Sequence, residues 1–369
     1  MMPNIFKLRI KIPAFPIVII YSITFFSLII LYSIGGGNFF PWCFNQFCRL
    51  ILGSIALILA ASIKVSFWKK YAYIFYLSSL MLLICVAIMG KVSMGAQRWI
   101  NFYFFNFQPS ELMRISAVLI MAKYFSEYHT DEIKKNYTLI VPFFLIAIPA
   151  GFVLLQPDLG TAMLLLFVFS SILFACGVQI WKFVVAIIMI VISTPILWNM
   201  LHEYQRQRIL MFLSPEMDPS GAGYHIIQSK IAIGSGGVWG KGLLNGSQSQ
   251  LSFLPEKQTD FIFSALAEEL GFFGCLFLLI LYFLLIAYNI QVALNARSKF
   301  NQILAFGLTT MFFFYIFINI AMVCGLLPVV GIPLPFFSYG GSALIVLMFC
   351  EGLILAIDTE EKSKFGIKH

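Results

Sequence analysis

Carboxylates at the edges of apolar runs are the first residues in this chain whose type and spacing can do chemistry. Residues 245–274, NGSQSQLSFLPEKQTDFIFSALAEELGFFG, form a polar loop that runs into an apolar helix. Asp260 directly precedes FIFSALA, which places it at the start of a membrane helix. There the unpaired amides and the positive end of the helix dipole favour an ionised carboxylate. Such a group suits a general base, although a helix-terminal carboxylate that only caps is the plainer reading. By helical rise Glu268 and Glu269 lie about 12 and 13.5 Å further along the axis. At 3.6 residues per turn Glu268 falls within about 80° of Asp260 and Glu269 nearly opposite. One of the two can therefore enter the same cavity while the other pairs elsewhere, and a structural role for both is the plainer alternative.

Other charges gather near the same face of the chain. Glu111 and Arg114 in PSELMR stand three apart, share a helical face, and either neutralise each other or meet a substrate. Asp158 in QPDLGTAM fits an N-cap at the junction of two apolar runs. Arg98, Lys230 and Lys241 are cations available to an anionic group. Lys230 and Lys241 lie in GAGYHIIQSKIAIGSGGVWGKGLLNGSQSQ, whose glycines read as loop-shaping. That stretch holds no G-x-x-x-x-G-K-[ST] and lacks the strand-to-helix context of a dinucleotide site, so no nucleotide is expected. His129, His202, His225 and His369 show no zinc-ligand spacing, and no transition-metal site is expected. Cys43 and Cys48 are near enough in sequence to raise the question of a disulfide in an oxidising compartment.

The elements that must position these groups are membrane helices. With 60% apolar and 11% charged residues over 369 positions, and a mean hydropathy of +0.92, the chain lacks the polar surface of a soluble domain. Apolar windows fall at 15–34, 47–65, 71–90, 137–156, 159–178, 181–200, 261–289, 303–327 and 335–357. Each is near the roughly 20 residues a crossing helix needs. A tenth span, 109–125, carries Glu111 and Arg114 and is expected to be buried among the others. The reading is thus a single all-α membrane domain, 1–369, of ten helices, with one long outward loop, about 201–259, between helices 7 and 8. Lys7, Arg9, Lys11, Lys64, Lys69, Lys70, Lys123, Lys134, Lys135, Lys182, Arg297, Lys299, Lys362, Lys364 and Lys368 fall on one side of that topology, fifteen of the 24 Lys and Arg. The positive-inside rule makes that side, with both termini, cytoplasmic. Arg98, Asp158, the long loop and 328–335 then face outward.

On GAQRWINFYFFNFQPSELMR, QPDLGTA, GSQSQLSFLPEKQTDFIFSALAEELGFFG and GLLPVVGIPLPFFSYGGSAL, which occur in family order over almost the whole chain, the sequence closely resembles the SEDS family, and its elongation branch in particular. The resemblance implies a peptidoglycan glycosyltransferase of the bacterial inner membrane that joins lipid II into β-1,4 glycan on the periplasmic side. It implies Asp260 as the catalytic aspartate, and Glu111 and Asp158 as the acidic residues of two further motifs. Its partners would be a class B penicillin-binding transpeptidase and other elongation-complex membrane proteins. Two positions depart from the family pattern: Gln258 stands where His is common, and Arg114 where Lys is common. Gln258 cannot titrate near neutral pH, and Arg114 keeps the charge but changes the hydrogen-bond geometry. A diphosphate leaving group is compatible with a divalent cation, Mg or Mn. Arg98, Arg114, Lys230 and Lys241 are candidates to stabilise it, with Glu268 in the same cavity. The competing readings are a lipid II flippase, for which buried charges would form a path, and a noncatalytic scaffold for the transpeptidase. The absence of a visible inverted repeat and the outward clustering of polar motifs weigh against the flippase.

Overall fold

The computed structural model describes residues 13–89, 91–93, 96–102, 105–201, 203–213, 222–251, 253–254 and 256–365. Three helices lead: α1 (Ala14–Ile34), α2 (Trp42–Ser62) and α3 (Val65–Met89). After a small sheet come α4 (Pro109–Ser126), α5 (Thr130–Ile133), α6 (Tyr137–Leu155), α7 (Leu159–Ala175) and α8 (Ile180–Met200). The chain closes with α9 (Glu203–Leu213), α10 (Ala222–Gly236), α11 (Ser247–Gln250), α12 (Ile262–Asn295), α13 (Lys299–Val323) and α14 (Ser342–Phe365). Among these, α1, α2, α3, α6, α12, α13 and α14 are long and apolar enough to cross a membrane, and α7 and α8 are shorter apolar helices. The chain is a multi-pass membrane protein.

The helices sort by what they bury. Helices α4, α13 and α14 form the centre, and almost every residue of α4 is buried, Glu111 and Arg114 included. Helix α14 packs along α2, where Gly352 admits the α2 backbone at Leu57 and Gly53 faces Met348. Small residues let helices approach closely where lipid supplies no hydrophobic drive between them. Helix α8 sits at the other extreme, with Ile187, Val191 and Ile192 exposed along its length.

Two sequence expectations need correcting, and one question that the sequence leaves open is answered. The fold is not purely helical, because β1 (Lys91–Ser93), β2 (Ala96–Phe102) and β3 (Phe105–Phe107) form an antiparallel sheet in that order. The expected long loop is largely helical: α10 buries Gly223, Ile226, Ser229, Ala232 and Gly236 along one face against α12. That near-three-residue spacing is an amphipathic stripe, and packing overrides the low helix propensity of its glycines. Cys43 and Cys48 are both free thiols. Five residues apart on α2, they are separated by about 7.5 Å of helical rise, beyond the reach of a disulfide.

Helix α12 is broken at Gly271, with φ 62° and ψ −157°. A side chain there would strike Val238, since its Cβ would come within 2.7 Å of that carbonyl oxygen. The break separates a short first segment, with Glu268 and Glu269, from the long apolar remainder.

Candidate active site

Asp260 lies in a turn over 256–261, before the helix and not at its cap; Phe261 holds the N-cap position and no side chain caps α12. The turn is held through three consecutive carbonyls. Tyr339 N donates to Gln258 O at 2.9 Å, Ser338 Oγ to Thr259 O at 2.7 Å, and Asn319 Nδ2 to Asp260 O at 3.0 Å. Asn319 also donates to Ile332 O at 2.7 Å, tying the turn to the segment 328–339. Gly331, at φ +70°, faces Asp260: a Cβ there would lie 3.4 Å from Oδ2. Only glycine adopts that φ without strain and leaves the space beside the carboxylate open. Gln258 Nε2 and Thr259 Oγ1 both donate to Glu256 Oε2, at 3.3 and 3.1 Å.

On the far side of 328–332 lies a buried polar chain. Arg114 Nη2 approaches Glu111 Oε1 at 3.8 Å and donates to Thr161 Oγ1 at 3.2 Å. Thr161 Oγ1 donates to Asp158 Oδ2 at 2.9 Å, and Gln108 Nε2 reaches the same oxygen at 3.3 Å. Asp158 is the N-cap of α7, accepting from Thr161 N. The Arg114 guanidinium also lies 5.1 Å from the Tyr315 ring centroid. The link to Asp260 is steric: Gly160, in the first turn of α7, packs on Val330, next to Gly331.

Glu268 and Lys241 are brought together, but as a pair closed on itself. Glu268 is fully buried, and its Oε1 takes Lys241 Nζ at 2.7 Å and Gln248 N at 2.9 Å. Its Oε2 takes Ser249 N at 3.0 Å. Glu269 turns away toward α1, where Ser33 Oγ donates to it at 2.6 Å. Lys230 is exposed on α10, with its stem against Gly325 at the end of α13. Arg98 lies on β2, and its side chain is outside the described residues. Lys257, three residues before Asp260, is buried and donates to Ser249 O at 2.5 Å. Burial pushes its ammonium below the usual lysine range, and the Glu269 carboxylate partly offsets that.

Asn319, Ser338, Tyr339 and Arg49 are functional candidates that sequence reasoning missed. The available signal was a lone amide inside the apolar run FINIAMV and a polar SYGG after the apolar IPLPFF.

Helices long and apolar enough to cross a membrane, with a half-buried aspartate on a clamped turn, make this a polytopic membrane protein. Residues 4–363 match the FtsW/RodA/SpoVE cell cycle protein family, and the chain belongs to that family. It is 43% identical over 348 residues to the peptidoglycan glycosyltransferase MrdB of Escherichia coli strain K12, covering 94% of this chain and 93% of that one. It is 38% identical to the "Probable peptidoglycan glycosyltransferase FtsW" of Geobacter metallireducens, over 97% and 98% of the two chains. Among solved structures, a chain from a peptidoglycan synthase complex that coordinates polymerization and crosslinking superposes with a TM-score of 0.83 at 31% identity, covering 96% and 99%. The rod shape determining protein RodA of Thermus thermophilus superposes at 0.73 with 26% identity, covering 95% and 98%.

Proposed function

We propose that Asp260 is the general base of a glycosyl transfer that builds peptidoglycan from lipid II. The activity follows from the family: relatives over nearly the whole chain are named peptidoglycan glycosyltransferases, and this chain is one, acting in cell elongation. The growing glycan carries a lipid diphosphate at its anomeric carbon. The 4-hydroxyl of an incoming GlcNAc attacks that carbon, the bond to the diphosphate oxygen breaks, and Asp260 takes the hydroxyl proton. Configuration inverts and a β-1,4 link forms. Diphosphate is a good leaving group, so one base suffices where glycoside hydrolysis needs two carboxylates. The observation that carries this reading is the turn itself, in which three carbonyls are clamped so that the Asp260 side chain is directed beside Gly331.

Of the four candidate cations, Arg114 and Lys241 already face Glu111 and Glu268. That leaves Lys230 and Arg98 for the diphosphate. Among the described residues no group of three or more His, Cys, Asp or Glu is placed to hold a metal. A magnesium or manganese ion would therefore take most of its oxygens from the diphosphate and water, as such ions commonly do. Helices α4, α7 and α8 complete a ten-span set in this reading. Its support is that bases assigned to the cytoplasm meet at one end: Lys182 Nζ donates to Lys134 O at 2.6 Å and Lys299 Nζ to Tyr128 O at 2.7 Å. The Asp260 turn would then face the periplasm from the inner membrane. Its partner would be a transpeptidase, a class B penicillin-binding protein, since the structural relative belongs to a synthase complex that coordinates polymerization with crosslinking.

The test is reconstitution of the purified protein with labelled lipid II and its transpeptidase. Asp260→Ala is expected to abolish glycan while remaining folded. Native turnover in that variant removes Asp260 as the base. Movement of lipid II across vesicles without polymer from either protein favours the flippase.

A further inference from the structure

The clamp on the Asp260 turn has an outer layer. Helix α2 presents Asn45, Gln46 and Arg49 to the segment that holds the turn. Gln46 Nε2 donates to Ser338 O at 3.1 Å, while Asn45 Nδ2 and Arg49 Nη2 both donate to the Tyr339 hydroxyl, at 3.3 and 3.1 Å. The Arg49 guanidinium also lies over the Tyr339 ring, 4.1 Å from its centroid. Stacking fixes the ring plane and the hydrogen bond fixes its long axis, a combination that a planar guanidinium supplies and an ammonium does not. Among the described residues Arg49 makes no ion pair. Its Nη1 is shut from solvent and has no hydrogen-bond partner among those residues. A partly desolvated charge without a counterion is costly, and packing alone would be served as well by an apolar side chain.

We propose that Arg49 is a positioning residue for the glycosyl transfer. Through Tyr339 and Ser338, which bond Gln258 O and Thr259 O, it sets the main-chain path leading into Asp260 and so the direction of the carboxylate. This rests on Asp260 being the base. The Tyr339 ring anchors the main chain of 338–339, whose Tyr339 N and Ser338 Oγ hold two successive carbonyls, so a shift of that main chain would carry both, and misplacement of a catalytic group by about 1 Å costs up to about 100-fold in rate.

The experiment measures kcat and KM on labelled lipid II, per folded molecule of full-length protein, for Arg49→Met, Tyr339→Phe, their double variant and Asp260→Asn. Arg49→Met is expected to lower kcat about 10- to 100-fold while KM stays within about 3-fold. Tyr339→Phe keeps the ring but loses both hydrogen bonds, and kcat should fall about 3- to 10-fold. The double variant should fall no further than Arg49→Met alone, because the two residues act as one unit. Wild-type kcat per folded molecule in Arg49→Met, with Asp260→Asn inactive, reduces Arg49 to a packing residue and overturns the inference alone. A raised KM at unchanged kcat overturns it as well, by making Arg49 a substrate contact. Wild-type kcat in Asp260→Asn removes the base and the positioning role with it. Should Arg49→Met fail to fold, Tyr339→Phe decides by the same criteria.

Discussion

Asp260 and Glu268 stand eight residues apart, one before α12 and one within its first segment, and the protein treats them in opposite ways. Glu268 is held by its side chain: a lysine and two backbone amides surround the carboxylate, and none of it is exposed. Asp260 is held by its main chain, and its half-buried carboxylate lies beside a glycine. The first arrangement spends a negative charge on binding residues 241–249 to α12. The second fixes where a charge sits while leaving room beside it.

Changing each carboxylate to its amide is the sharpest way to break the comparison. Asp260→Asn should cut turnover by about 10² to 10⁴, the range for loss of a general base, with little change in melting temperature. Glu268→Gln should do the reverse. It leaves the Lys241 ammonium without its partner and two amides with a weaker acceptor, a loss of about 2 to 4 kcal/mol in stability. Turnover per folded molecule should stay near the native value. If thermal melting in detergent shows Glu268→Gln intact while lipid II turnover collapses, Glu268 belongs to the chemistry and the contrast fails.

Much of this contrast was out of reach of the sequence for an identifiable reason. Local relations were legible: the N-cap at Asp158, the i,i+3 pairing of Glu111 with Arg114, and the apolar spans all follow from spacing within one or two turns. Projecting Glu268 from Asp260 by helical geometry assumes a continuous helix, whereas residues 256–261 form a turn bonded to Asn319, Ser338 and Tyr339. The Ser338 bond joins residues 79 apart, and Arg49 reaches Tyr339 across 290. No periodicity carries information over such separations. The helicity of α10 was hidden by its glycines, whose low propensity masked a buried face.

Asn319 tests the main-chain side of the comparison. It is fully buried, and one amide group bridges Asp260 O and Ile332 O. Asn319→Leu removes both bonds and leaves two carbonyls without that donor, at a cost of about 1 to 3 kcal/mol. Turnover should fall about 10-fold through displacement of the turn, less than for Asp260→Asn but by the same route. A stability loss with native turnover per folded molecule would show that Asp260 keeps its place without this anchor.

The smallest effect concerns Lys257, which joins the two regions. Its ammonium donates to Ser249 O, whose residue in turn donates its amide to Glu268, and it stands three residues before Asp260. Burial lowers its pKa in the folded protein. Between that lowered value and the ordinary lysine value of about 10.4 the unfolded chain binds more protons than the folded one, so stability from this group rises with pH. Below the folded pKa the full cost of keeping a desolvated charge is present. Melting temperatures of the native protein and Lys257→Met, compared from pH 8 to 10.5, should therefore converge or cross in favour of the native protein as pH rises. A difference that moves the other way would mean that Lys257 gains more from Glu269 than it loses by burial, making it a second ionic tether like Lys241 and not a neutralisable link between the two carboxylates.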